Sequence, residues 1–213
     1  MPTTRIRQLT LGLLLGASAL FATTTSHAQL LALDFPANSA DAGDNGDWTL
    51  GYSFRVLTPI TVTGLAYWDS ASDGLVNTHS VGLWTTGGSL LSSASLPAGT
   101  SASLIGEWRY TNVTPITLGL GDYVVAGSHT TGGDVYSYDP PSHTIAPEIL
   151  FLANSYIEGI GLNFPTDSDS SIGYFGGNFL YRTGGGAVPE PSTYGLLAAF
   201  ALVGLVAARR LRR

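Results

Sequence analysis

From Trp48 onward the chain alternates. Trp48, Leu50, Tyr52, Phe54 and Val56 are separated by Thr49, Gly51, Ser53 and Arg55, the period-two pattern of a strand with one buried and one wet face. Pro59 interrupts the run, and Ile60-Thr61-Val62-Thr63 restarts it toward Trp68. Further strand-like stretches lie at residues 79–85, 89–96, 106–113, 116–118, 122–128, 156–162 and 172–181. Between residues 29 and 183 no apolar stripe recurs at helical spacing. Eight or nine short strands parted by turn residues predict an all-β fold, an antiparallel β-sandwich of Greek-key or jelly-roll kind.

Two segments resemble each other. Phe54-Arg55-Val56-Leu57-Thr58-Pro59-Ile60-Thr61-Val62 is echoed by Trp108-Arg109-Tyr110-Thr111-Asn112-Val113-Thr114-Pro115-Ile116-Thr117-Leu118, with two residues added before the second Thr-Pro. The expectation is two similar strand corners, one per sheet. In each, an exposed arginine lies beside a buried aromatic residue, and the proline marks the end of one strand and the start of the next. Chance likeness between two β-rich segments is the alternative.

The two ends follow other patterns. Residues 1–28 carry Arg5 and Arg7, an apolar stretch from Leu9 to Ala22, and the small-residue site Ser26-His27-Ala28, the layout of a secretory signal cleaved after Ala28. An uncleaved anchor helix is the alternative, disfavoured by the shortness of the apolar stretch. At the other end a Gly184-Gly185-Gly186 hinge leads into Val188, Pro189, Glu190 and Pro191. An uncharged run from Tyr194 to Ala208 follows, then Arg209, Arg210, Leu211, Arg212 and Arg213. Fifteen helical residues span roughly 22 Å, short of the roughly 30 Å hydrocarbon core, a gap that snorkelling arginines and local thinning close. The basic cluster belongs on the cytoplasmic side, which places the domain across the inner membrane, as the signal also requires.

This three-part tail resembles the PEP-CTERM sorting signal of Gram-negative bacteria, matched by Pro189-Glu190-Pro191, the apolar helix and the terminal arginines. The resemblance implies export through the secretion translocon, trimming by signal peptidase and recognition by an exosortase-type protease. The tail is then a temporary anchor and processed address, comparable to a GPI-type tail; a permanent single-pass anchor is the alternative. Such proteins accompany exopolysaccharide and biofilm production. The expected layout is a signal peptide at 1–28, a β-sandwich domain at 29–183, hinge and sorting motif at 184–192, transmembrane helix at 193–208 and cytoplasmic arginines at 209–213. The stretch from Gly51 to Asp134 is also similar to an exported bacterial domain of unknown function that recurs with such tails. It does so through Thr58-Pro59-Ile60-Thr61-Val62-Thr63-Gly64-Leu65, His79-Ser80-Val81-Gly82-Leu83-Trp84 and Trp108-Arg109-Tyr110.

Charge sharpens the picture. Lysine is absent, six of the nine arginines lie in the terminal segments, and between residues 29 and 183 three arginines face fourteen acids, a net −11. Such a surface repels phosphate backbones and excludes nucleic acid as a partner. The chain has no cysteine, so disulfides and thiolate chemistry are absent. There is no Gly-x-Ser-x-Gly, no His-Glu-x-x-His, no P-loop and no Gly-x-Gly-x-x-Gly, which removes the sequence support for a serine hydrolase, a zinc protease and a nucleotide enzyme.

Three weaker signals remain. Hard oxygen ligands gather in Asp41-Ala42-Gly43-Asp44-Asn45-Gly46-Asp47, where Asp41, Asp44, Asn45 and Asp47 are candidate calcium ligands, with Asp69 and Asp73 as further partners. Asp and Asn beside Gly are also ordinary turn chemistry. His79, His129 and His143 read as surface or turn residues. Glu107, Glu148 and Glu158 are the acids a glycosidase pair would draw on, if two of them face each other about 5–10 Å apart. Aromatic residues, Trp68, Trp84 and Trp108 among them, offer faces for sugar rings; Trp48 and Trp108 fall in phase with buried neighbours, and Trp84 is out of phase, facing a loop or solvent. The leading expectation is a non-enzymatic structural or adhesive component of the cell surface or extracellular matrix. A calcium-dependent glycan-binding module and a secreted carbohydrate-active enzyme are the alternatives.

Overall fold

The computed structural model describes residues 28–36, 41–140, 142–170 and 173–183. The signal segment, the sorting motif, the apolar tail and the arginine cluster lie outside them. Among the described residues no helix is long and apolar enough to cross a membrane.

The strands are β1 (Leu30–Leu31), β2 (Leu33–Asp34), β3 (Asp41–Gly43), β4 (Trp48–Val56), β5 (Ile60–Trp68), β6 (His79–Thr85), β7 (Leu90–Leu96) and β8 (Ser103–Ile105). They continue as β9 (Trp108–Leu118), β10 (Gly121–His129), β11 (Tyr136–Tyr138), β12 (Thr144–Ile145), β13 (Ile149–Glu158), β14 (Asp167–Asp169) and β15 (Gly177–Thr183). One sheet has the order β1-β15-β5-β9-β8 and the other β14-β13-β4-β10-β6-β7. Every ladder in them is antiparallel. The two sheets form the expected sandwich, with β4–β5 and β9–β10 crossing from one sheet to the other. Two short pairs, β3 with β11 and β2 with β12, close its margins.

The alternation in β4 carries the core. Leu50, Tyr52, Phe54 and Val56 are buried, whereas Ser53 is half-buried and Arg55 exposed. Phe54 packs 4.9 Å from Phe179 of the facing sheet. The Tyr52 hydroxyl donates to Asn178 Oδ1 at 2.8 Å, and Asn178 Nδ2 donates to the Leu33 carbonyl at 2.7 Å. A buried asparagine thus joins both sheets and the amino-terminal segment, with its polar atoms satisfied. Phe35 from that segment lies edge-on to Trp68 and Trp108, 5.5 Å from each. At Gly177 the sheets approach backbone to backbone: a Cβ there would lie 2.4 Å from the Ala126 carbonyl carbon and from the Gly127 nitrogen.

The internal likeness is not a structural repeat. Phe54 to Val62 runs from β4 into β5 and crosses between sheets, whereas Trp108 to Leu118 is one continuous strand. Pro115 does not end that strand. The β5–β9 register shifts between Val62 and Gly64, so that Val113, Thr114 and Pro115 bulge opposite Thr63, and β8 pairs with β9 only at residues 108–110. The proline therefore occupies a bulge with no strand among the described residues hydrogen-bonded on its other side, where its missing N–H costs the ladder nothing. The arginines differ as well. Arg55 is exposed and paired with Asp122, whereas Arg109 is 5 % exposed and paired with buried Asp69 at 2.7 Å. Arg109 also donates to the carbonyls of Thr100, Ala102 and Ser72, tying two loops to the start of β9.

A groove of aromatic rings at one end of the sandwich

The inward face of the six-stranded sheet continues past the end of its partner. Trp48 and Leu50 of β4, with Tyr156 of β13 opposite Leu50, keep the buried phase, but β15 begins only at Gly177, level with Tyr67. Their cover is instead the β3–β11 pair and the segment around Tyr174. Tyr136 faces Gly43 across that pair, and Ser137 exchanges backbone hydrogen bonds with Phe175. Gly43 makes the arrangement feasible: a Cβ there would fall 2.5 Å from the Tyr136 ring, so only glycine lets the ring lie across the strand.

The result is a groove in two connected parts. A pocket of about 200 Å³ is lined by Asn45, Trp48, Leu50, Tyr136, Tyr156 and Tyr174. A wider space of about 470 Å³ adjoins it, lined by Gly43, Asp44, Asn45, Tyr136, Tyr138 and Tyr174. The rings stand at steep angles: Trp48 to Tyr156 at 70°, Tyr156 to Tyr174 at 59° and Tyr136 to Tyr174 at 55°, with centroids 6.4, 5.9 and 6.3 Å apart. They form walls, not a stack. Their positions are fixed by polar contacts, Trp48 Nε1 donating to the Asn45 carbonyl at 2.6 Å and the Tyr136 hydroxyl to Asn45 Oδ1. Tyr174 holds a left-handed backbone, φ 68°, a conformation that costs a non-glycine residue energy and recurs at functional sites. Tyr138 is 45 % exposed at the groove mouth.

The acidic segment expected to hold calcium forms the rim of this groove. Asp44 Oδ1 accepts from the Gly132 amide at 3.0 Å and Asp47 Oδ1 from the Thr131 amide at 3.2 Å. The side chain of Asp41 lies outside the described residues. Asp69 is engaged with Arg109 and with the Gly74 amide. Among the described residues no three histidine, cysteine, aspartate or glutamate side chains converge as a metal site.

Beneath the rim runs a buried polar chain that sequence reading assigned to the surface. His79 stacks on Tyr67 with centroids 3.8 Å apart. Its nitrogens face two oxygens, the Ser128 carbonyl at 2.7 Å and Asp134 Oδ2 at 2.8 Å. Asp134 also accepts the Val76 and Asn77 amides. The Tyr67 hydroxyl meets His129 Nδ1 at 3.3 Å. His129 is 0 % exposed, lies edge-on to Tyr136 and points Nε2 at Asp44 Oδ1, 3.5 Å away. Burial, reinforced by His79, holds the His129 pKa below its ordinary value, so the unfolded chain takes up this proton first as pH falls through about 6.5. Stability that His129 contributes above that pH is lost below it. Replacing His129 with Gln is expected to reduce the fall in urea midpoint between about pH 7.5 and about pH 5.5, as followed by fluorescence.

Other expectations resolve simply. Trp68, Trp84 and Trp108 are all buried; Trp84 faces a loop, edge-on to Phe164, and the tryptophan that reaches a pocket is Trp48. The three glutamates have separate surroundings. Glu107 Oε2 accepts from Trp68 Nε1 in the five-stranded sheet, Glu148 accepts from the Tyr181 hydroxyl, and Glu158 lies at the far end of β13 opposite Trp48. Glu148 and Glu158 are ten residues apart along the chain, roughly 30 Å of extended strand.

Comparison with known families places a domain of unknown function, DUF4082, over residues 34–176 and the PEP-CTERM protein-sorting motif over residues 187–213. No curated protein and no solved structure matches the chain. The first match extends the similarity seen at Gly51 to Asp134 over nearly the whole sandwich, the groove included, and identifies no catalytic family. The second takes in Val188 to Pro191 and the terminal arginines, and with it export, transient membrane anchoring and exosortase processing. The chain therefore belongs to the DUF4082 family and is an exported protein that carries its own PEP-CTERM sorting signal.

Proposed function

We propose that the mature protein is a non-enzymatic adhesive component of the cell surface or extracellular matrix, and that it holds polysaccharide in the aromatic groove. The carrying observation is that Trp48, Tyr136, Tyr138, Tyr156 and Tyr174 gather at one open end of an exported sandwich, where ring faces can pack on sugar rings and Asp44 and Asn45 supply hydrogen-bond partners. Exopolysaccharide is the natural ligand in this reading, because sorting releases the domain where such polymers accumulate. Calcium held by Asp41, Asp44, Asn45 and Asp47 would compete for oxygens that already accept amide and hydroxyl protons, so the groove is read without it.

Trp48 is the ring to remove. Trp48→Ala is expected to weaken binding to the cell's own purified exopolysaccharide about tenfold or more, the loss typical of a central aromatic anchor. Affinity electrophoresis of the mature protein measures it. Unchanged mobility retardation in the variant, with its urea midpoint preserved, would contradict the proposal.

A further inference from the structure

We infer that the groove selects polysaccharides bearing protonated amino groups, that is, chains containing free amino sugars. This rests on the glycan-binding reading and narrows it. The rings of Trp48, Tyr136, Tyr156 and Tyr174 line a small pocket at steep mutual angles, and the negative face of an aromatic ring attracts an ammonium held within about 6 Å of its centroid. Carboxylates lie beside it. Asp44 is 37 % exposed in its side chain and lines the wider part. Asp169 is near enough to Tyr174 for its charge, after burial and Tyr138, to help raise that phenol's pKa, and Asp44 acts likewise on Tyr136, after burial and Tyr138.

Among the described residues neither a lysine nor an arginine pairs with Asp44; its ion-pair neighbour is His129, Nε2 3.5 Å from Oδ1, whose pKa burial holds below the ordinary value. Lysine is absent, Arg55 is paired with Asp122, Arg109 is buried against Asp69, and Arg182 pairs in register with Thr61 in the other sheet. The net −11 of residues 29–183 adds a field that concentrates cations and repels uronates and sulfated sugars. An N-acetylated amino sugar brings a neutral amide instead, without the positive charge that both features attract.

The test uses the full chain as secreted and processed, titrated calorimetrically in low salt near pH 6 with three hexamers: β-1,4-linked glucosamine, its N-acetylated counterpart, and galacturonate. The glucosamine hexamer is expected to bind about tenfold tighter than the acetylated one, with galacturonate weakest. Asp44→Asn, which keeps the acceptor for the Gly132 amide, is expected to narrow the ratio between the first two. Equal affinities for free and acetylated hexamers, or tightest binding of galacturonate, would overturn the amino-sugar inference and leave glycan binding standing. Binding of none of the three while the cell's own exopolysaccharide is retained overturns it as well. Failure to bind that polymer either removes the glycan reading itself.

Discussion

Replacing Arg109 with Met is expected to lower the stability of the domain by about 3–5 kcal/mol, the usual cost of stranding one member of a buried ion pair. Asp69, 2 % exposed, would keep only the Gly74 amide among the donors described above and lose its neutralising charge. The carbonyls of Thr100 and Ala102 would lose a donor each to the missing Nη1, and that of Ser72 to the missing Nη2. For a domain of this size the shift in melting temperature is about 10 °C. A cycle separates charge from packing. If the stranded carboxylate is the main cost, adding Asp69→Asn to Arg109→Met recovers part of the loss, so the double variant falls short of the sum of the singles. A strictly additive double variant would mean that the guanidinium acts independently of Asp69, through its bonds to the loop carbonyls and its volume.

Gly177→Ala is expected to be of similar size, about 3 kcal/mol or more, at the upper end of overpacking effects. The new Cβ would meet backbone atoms of Ala126 and Gly127 at 2.4 Å, and these are held in the centre of β10 by pairing on both sides, to β4 and to β6. Backbone there yields only if the sheets separate. Gly119→Ala supplies the control, since a Cβ at that position meets nothing within 4 Å. Urea titration is expected to give a lower midpoint for Gly177→Ala with an unchanged slope, and no shift for the control. A midpoint near wild type at Gly177 would mean that the sheets are not in contact at β10 and β15.

What the sequence made legible was whatever kept a regular phase. In β4 the period-two alternation of apolar and polar residues is nearly unbroken, and the predicted bounds of β4, β5, β6 and β10 agree with the structure to within a residue or so. Most of β13, Ile149 to Ser155, escapes the pattern because Ile149 to Ala153 is an apolar run without alternation, and the register shift between Phe151 and Ala153 breaks the phase there. Trp84 read out of phase for a similar reason, the shift between Leu83 and Trp84. Pro115 looked like a strand end because a bulge leaves no local mark that separates it from a terminus.

The groove was half visible. The Asp41 to Asp47 segment was singled out for its oxygens, yet its oxygens cap the 131–132 turn and its glycines make room for rings. Tyr136, Tyr138, Tyr156 and Tyr174 are spread over nearly forty residues, and the pairings of β13 with β4, of β3 with β11 and of Ser137 with Phe175 bring them together. Its phase with Leu50 and Tyr52 marks Trp48 as inward. Its access to a pocket follows from where the opposite sheet stops, a tertiary fact with no sequence signature. Arg109 carries no mark of burial in the sequence because its partner Asp69 is forty residues away and lies in a stretch that reads as a loop.

The groove's part in adhesion is tested most directly in the producing bacterium. Cells making the wild type or a Trp48→Ala, Tyr174→Gly variant are fractionated into medium and extracellular matrix, and each fraction is assayed for protein with its sorting tail removed. Glycine at 174 accepts the left-handed backbone while deleting the ring. The wild type is expected in the matrix and the variant in the medium, both processed alike. Equal retention of the processed variant in the matrix would contradict adhesion through the groove.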